Sequence, residues 1–251
     1  MARYFIEVFY KGTDYSGFQT QENANTIQAE VEKAIEILKK EKIVLTGSSR
    51  TDAGVHALQN YFHFDSALNY SQEKTIYNLN AILPVDIGVR KIVPVNEAAH
   101  CRFDAITREY KYYVYRFKNP FLKDRAYYYP YKLDIESLQA SAEILKGYTD
   151  FTSFSKRNTQ VKTFNCKILE SRWLEENGCL VYHVRANRFL RGMVRALTAT
   201  MLKTGRGRQS LDEFRAIIEA KDNTAASFGV PGHGLFLISV AYPPDYFKFT
   251  Q

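Results

Sequence analysis

Two hydrophobic periods alternate along this chain, and their order is the strongest constraint on how it can fold. Residues 3–10 alternate and are rich in aromatics, the period of a half-buried strand. Ile27, Val31, Ala34, Ile35 and Leu38 then recur at helical spacing behind Asn25-Thr26-Ile27-Gln28, which reads as a capping box with Asn25 as the cap. Strand patterns follow over 43–47 and 56–65, a helix over 72–81 that stops before Pro84, and a strand over 86–93. The order β-α-β-β-α-β is the split βαβ arrangement. The second half repeats that order without repeating the sequence. Thr107 to Phe117 is a tyrosine-rich strand and Ile135 to Lys146 a helix. Lys162 to Leu174 and Leu180 to Arg185 form a hairpin around Glu175-Glu176-Asn177-Gly178. Helices over 187–203 and 210–220 precede a last strand, Leu235 to Ala241. The expectation is an α+β chain of two pseudo-repeated lobes, 1–105 and 106–251. A crevice between two such lobes is a common place for a ligand.

Composition narrows the class. A chain of 251 residues suits one large domain or two small ones, each with its own core. No apolar run approaches the ~18 residues needed to span a bilayer. Glu7 stands where a signal peptide would carry its apolar region, which predicts a cytoplasmic protein. The three cysteines, Cys101, Cys166 and Cys179, make no CxxC pair, and the five histidines show no HxxxH or HxH spacing. Neither a disulfide framework nor a zinc site is expected, and each Cys reads as a small buried side chain. The formal net charge is +7, but its distribution says more. Between Glu176 and Asp212 there is no acidic residue, whereas that window holds Arg185, Arg188, Arg191, Arg195, Lys203, Arg206 and Arg208. An anionic partner, a nucleic acid above all, is the leading explanation.

Few residues could carry chemistry. Ser49-Arg50-Thr51-Asp52-Ala53-Gly54-Val55-His56 sets a carboxylate beside a guanidinium in a small-residue turn between two apolar stretches. Locally, Asp52 reads as a residue that fixes the turn; loops on a rigid sheet are also where chemistry is presented. Lys11 to Gln21, with Gly12 and Gly17, reads as a loop rimming a site. On a helix from Asn187, Arg188, Arg191 and Arg195 would fall within about 60° of one another. Such a stripe suits phosphates, or it is a solvated basic face. The tyrosines at 110–115 and 127–131, interleaved with Arg108, Lys111 and Arg116, suit base stacking, or they simply cover a sheet. The loop 151–160, with Lys156 and Arg157, is either an RNA-touching loop or a solvated connection. No GxxxxGK[ST], GxGxxG or GxSxG motif is present. Nucleophilic catalysis by Asp stays open, since an aspartate is ionised at neutral pH.

These residues also carry a resemblance. Arg50-Thr51-Asp52-Ala53-Gly54-Val55-His56-Ala57 is similar to the signature of TruA-type tRNA pseudouridine synthases. Tyr10 to Gln19, Asn80 to Ile87, His100 to Ala105, Arg108 to Tyr112, Asp150 to Phe154, Phe189 to Arg195 and Gly234 to Leu237 resemble further motifs of that family, in the same order. The resemblance implies two ferredoxin-like lobes with a basic cleft between them, no metal and no cofactor, and a homodimer. It implies isomerisation of uridine to pseudouridine at positions 38, 39 and 40 of tRNA. By position, Asp52 would be the nucleophile on a flipped uridine or its sugar, Tyr110 would stack on the target base, and Arg195 would orient Asp52. Arg50 would keep the base out of the stack, a step costing a few kcal/mol. Lys156, Arg157, Arg188 and Arg191 would hold RNA. Two departures stand out: Ser49 replaces the family's usual Gly, and Asp104 puts an acid near the basic surface. A non-catalytic RNA-binding module of the same fold is the alternative. A phosphoester hydrolase is a third reading, weakened because no metal-ligand carboxylate cluster is legible.

Overall fold

The computed structural model describes residues 1–70, 73–157 and 161–247. They gather into two compact units, one of Met1–Ile106 with the chain from Leu237 onward, the other of Thr107–Phe236. The sequence predicts a division into 1–105 and 106–251; in the structure the chain from Leu237 onward groups with the first unit. The cause is local bonding. Ile106 N donates to Ala241 O at 2.8 Å and Val240 N to the Gln59 side chain at 3.1 Å. Tyr242, Tyr246 and Phe247 then cover Phe5 on the outer face of the first sheet.

The first unit runs β1 (Ala2–Tyr10), α1 (Ile27–Lys39), β2 (Thr46–Gly47), β3 (His56–Ser66), α2 (Glu73–Ile82) and β4 (Ile87–Val95). β1 lies between β3 and β4, antiparallel to both, and β2 adds to the far side of β3. This is the strand order of a split βαβ lobe. Alternation along β1 sends Phe5 to one face and Tyr4 to the other, where Tyr4 meets Phe64 and Tyr70. On that inner side Phe18 stacks on Phe62 with centroids 4.4 Å apart. Buried Glu7 is held by Arg90 at 2.7 Å and by the Tyr61 hydroxyl at 2.8 Å.

Two expectations are corrected here. The cap of α1 is Thr26, whose hydroxyl accepts from Ala29 N at 3.3 Å, and not Asn25. The strand over 43–47 shrinks to Thr46–Gly47 because side chains of α1 take the Leu45 backbone instead. Glu32 accepts from Leu45 N and Gln28 donates to Leu45 O, both at 2.9 Å, while Val44 is 83% exposed. The helix expected over 72–81 is observed over Glu73–Ile82, with Gln72 outside the described residues.

His63, on β3, accepts from Cys101 N at 3.3 Å and lies beside the His100 ring. Burial, with help from His100, pushes the His63 pKa down to about 4. The unfolded chain therefore binds more protons between about 4 and the ordinary histidine value of ~6.5, so stability rises with pH through that window. Urea titrations should give a lower midpoint at pH 5 than at pH 7, and His63→Gln should flatten the difference. An unchanged slope in His63→Gln would place the titrating group elsewhere.

The second unit runs β5 (Thr107–Tyr115), β6 (Tyr127–Tyr128), α3 (Ile135–Ile144), β7 (Ile168–Glu176), β8 (Cys179–Ala186), α4 (Met193–Gly205) and α5 (Leu211–Glu219); β9 (Leu235–Ala241) begins in it and continues into the first unit. β8 lies between β5 and β7, antiparallel to both, and β6 runs parallel to β5. The β7–β8 turn is Asn177-Gly178, both left-handed at φ 51° and 74°, as a two-residue hairpin requires. α4 is buried almost throughout, and at Gly205 an added Cβ would lie 2.7 Å from the Leu138 side chain on α3.

The helix expected over 187–203 begins only at Met193. Gly192 sits at its N-cap in the left-handed region, φ 75°, and ends the irregular segment before it. That segment is tied to other loops: Asn187 N donates to Lys167 O at 3.1 Å, and Lys156 N donates to Arg191 O at 3.0 Å. Arg188 and Arg191 therefore do not share a helical stripe with Arg195.

Candidate active site

The Asp52 turn links β2 to β3 and is fastened from several sides. Val55 N closes it on Asp52 O at 3.2 Å, and Gly54 takes φ 75°. The loop after β1 wraps it: Phe18 N donates to Thr51 O at 3.1 Å, Gly54 N to Tyr15 O at 3.3 Å, and Gly12 N to His56 Nδ1 at 3.0 Å. Both loop glycines are needed for so close an approach. A Cβ on Gly12 would lie 2.0 Å from Val55 O; Gly17, at φ 119°, would place one 3.1 Å from Thr51 O. Beneath the turn, the Tyr10 and Thr51 hydroxyls are 2.9 Å apart, and the Asn60 amide donates to Ser49 O at 2.8 Å. Tyr15 anchors the wrapping loop through Asp86 at 2.6 Å; burial and that carboxylate raise its hydroxyl pKa. The result is a half-buried Asp52 and an exposed Arg50 on a turn built from backbone bonds. Lys11 to Gln21 thus rims the turn, as its composition suggested.

The two sequence departures resolve differently. Asp104 accepts from His100 N at 2.7 Å and from the Tyr246 hydroxyl at 2.5 Å, so the acid caps its own turn and ties down the end of the chain. Ser49 is buried and its hydroxyl has no hydrogen-bond partner among the described residues; nothing in the structure explains it.

Tyr110 and Arg195 belong to the second unit. Tyr110 sits on β5 opposite Val184, buried, with the Phe189 ring edge-on at 5.1 Å. Arg195 lies in the first turn of α4, half-buried, and donates from Nε at 3.0 Å and from a terminal nitrogen at 2.8 Å to Val230 O. Those two bonds fix the plane of the guanidinium. The next carbonyl, Pro231 O, accepts from the Tyr112 hydroxyl at 2.8 Å, which holds the segment that holds Arg195.

The remaining basic candidates sit on two loops of the same unit. The Lys156–Arg191 backbone bond brings those loops together, and Lys156 Cγ would lie 3.0 Å from a Cβ on Gly192. Arg157 and Arg191 are exposed; Arg188 is half-buried near the Cys166 thiol, whose pKa burial pushes up to about 11. The loop after α3 is not simply a solvated connection. Phe151, Ser153, Phe154 and Ser155 are buried, so only its basic end faces out; residues 158–160 lie outside the described residues. Sequence reasoning missed Asn60, Val230 and the edge contact of Phe189 with Tyr110. Among the described residues, no group of three or more His, Cys, Asp or Glu is placed to hold a metal ion, and no helix is long and apolar enough to cross a membrane.

A family model described as tRNA pseudouridine synthase matches residues 8–104 and 141–243. The chain is 47% identical over 252 aligned residues to the tRNA pseudouridine synthase A of Parabacteroides distasonis, with 98% of each chain covered. It is 44% identical to that of Porphyromonas gingivalis over 98% of this chain and 100% of the relative. Against the Bacillus subtilis protein of the same name the identity is 39%, over 94% of this chain and 97% of the other.

Proposed function

The chain belongs to the tRNA pseudouridine synthase family, and from that premise we propose where on the tRNA it acts and which residues do the work. It is an isomerase that converts uridine to pseudouridine in tRNA. Its targets are positions 38, 39 and 40 of the anticodon stem-loop. The reaction exchanges the uracil N1–C1′ bond for a C5–C1′ bond; the C5 proton leaves and N1 gains one. Atoms and electrons balance within the nucleotide.

Asp52 is the nucleophile for a uridine flipped out of its stack, acting on the base or on the ribose. Tyr110 stacks on the target base, Arg195 orients Asp52, and Arg50 keeps the base extruded. Lys156, Arg157, Arg188 and Arg191 hold the RNA backbone. The protein works as a homodimer in the cytoplasm; light scattering and fractionation of cells expressing it test those two statements.

The observation that carries this reading is the fastening of the Asp52 turn. A module that only bound RNA would gain nothing from holding a carboxylate half-exposed against phosphates, yet two glycines and a hydrogen-bonded Tyr10, Thr51 and Asn60 serve to fix that turn. The test is incubation with unmodified tRNA transcripts and mapping of pseudouridine at nucleotide resolution. Salt-sensitive binding without any change of base would support the non-catalytic module instead.

The arginines should separate by role. Arg188→Ala and Arg191→Ala are expected to weaken tRNA binding and to lower the slope of log Kd against log salt by roughly one for each phosphate no longer neutralised. Arg195→Ala should lower kcat more than it raises Kd, because its guanidinium is fixed by Val230 O. Identical behaviour of all three would overturn the assignment of Arg195.

A further inference from the structure

At the end of α4 opposite Arg195, the Arg206 guanidinium lies over the Tyr131 ring, 3.6 Å from its centroid, with Tyr129 at 5.7 Å. Tyr129 and Tyr131 are themselves edge-on at 4.8 Å. A guanidinium at a helix C-terminus ordinarily caps the last carbonyls. Here those carbonyls are already taken: Asp134 N donates to Gly205 O at 2.7 Å, and the Arg206 backbone N–H serves Leu202 and Thr204. The Arg206 guanidinium makes no hydrogen bond or ion pair with any described residue, so its five donors are immobilised and unused. Stacking fixes the group and leaves its donors for something outside the described chain.

The neighbouring segment has the same chemistry. Between β5 and β6 the chain makes an excursion over residues 116–126, fixed at its base where Leu122 and Ala126 pack on Tyr115 and Val181. Within it Asn119 caps a short helical turn, Pro120–Leu122. Phe117 and Phe121 are each 82% exposed there, and Lys118 and Lys123 stand beside them with no acidic partner among the described residues. Tyr129 N donates to Tyr115 O at 2.9 Å, which joins the excursion to the Tyr129–Tyr131 stack.

We propose that Arg206 on its tyrosine stack, with the Phe117–Lys123 excursion, forms a second RNA-binding surface that grips the substrate tRNA away from the reacting uridine. It lies ~16 Å from Arg195 along α4 at 1.5 Å per residue, too far to serve the same nucleotide. Charge decides the occupant: two copies of this chain would bring unpaired lysines together, and lysine is depleted at protein interfaces, whereas interleaved cations and exposed rings bind phosphates and stack on unpaired bases. The inference rests on tRNA as the substrate and adds a contact outside the modified arm.

The experiment compares Kd for full-length tRNA and for an isolated hairpin carrying the modified uridine. Wild type should bind full-length tRNA the more tightly. Arg206→Ala and the pair Lys118→Ala, Lys123→Ala should each raise Kd for full-length tRNA by about tenfold and lower its salt slope by about one per charge removed, narrowing the gap between the two RNAs. Arg206→Lys should recover part of the salt slope but not the affinity, since it keeps the charge and loses the planar stack. Equal weakening on both RNAs, unchanged affinity for full-length tRNA, or a change in molecular mass instead of affinity would each overturn the proposal. Absence of pseudouridine formation by wild type would overturn the functional reading instead, so the two failures are distinguishable.

Discussion

Asp52→Asn is expected to abolish pseudouridine formation, by roughly 10⁴-fold or more, the scale seen when a covalent nucleophile is removed. Asparagine has the shape of aspartate but neither its charge nor its nucleophilicity. The turn should survive the change, because bonds through Thr51, Gly54, Val55, Tyr10 and Asn60 hold it. Thermal unfolding and tRNA affinity should therefore stay close to wild type. Measured by single-turnover kinetics at saturating enzyme, the loss should fall on the chemical step. A folded Asp52→Asn protein with near-normal turnover would leave no role for this carboxylate as nucleophile.

Gly12→Ala should have the second-largest effect, and it acts at a distance from the substrate. The new methyl would stand 2.0 Å from Val55 O, a backbone atom that no rotamer can move aside. The loop after β1 must retreat, and with it the bond from Gly12 N to His56 Nδ1. Overpacking of this kind costs about 1–3 kcal/mol, and displacement of a catalytic group by ~1 Å costs about 10²-fold in rate. The expected result is a lower unfolding midpoint together with a hundredfold loss of kcat. Gly147→Ala is the control: a Cβ there meets nothing within 4 Å, so the protein should keep its activity and lose no stability. Full activity in Gly12→Ala would show that the turn does not depend on that approach.

Much of the fold was legible because period and punctuation agree. The last strand, Leu235–Ala241, is bounded as its pattern predicts, and Asn177-Gly178 marks the hairpin turn it forms. The misreadings share one cause, bonds to residues distant in sequence. Phe189 and Leu190 keep helical spacing, but Lys156 and Lys167 hold the segment around them in another conformation and Gly192 delays the helix. Ile43 to Leu45 look like a strand, but α1 takes the backbone bonds of Leu45. The candidate site shows the same division. Asp52, Tyr110 and Arg195 are visible in short motifs, whereas what fixes them is not: Asn60 reaches Ser49 and Val230 reaches Arg195 only once the chain is folded. Ser49 has no explanation in its motif or in its surroundings.

The proposed role of Asp52 is to drive an isomerisation in which the C5 proton of uridine is lost. Transcripts of tRNA carrying tritium at uridine C5, incubated with wild type and with Asp52→Asn, test it most directly. Wild type should release tritium to solvent in step with pseudouridine formed at positions 38–40, and Asp52→Asn should release none while binding the same RNA. Tritium release by folded Asp52→Asn would rule out Asp52 as the nucleophile, and its absence with wild type would rule out the isomerisation itself.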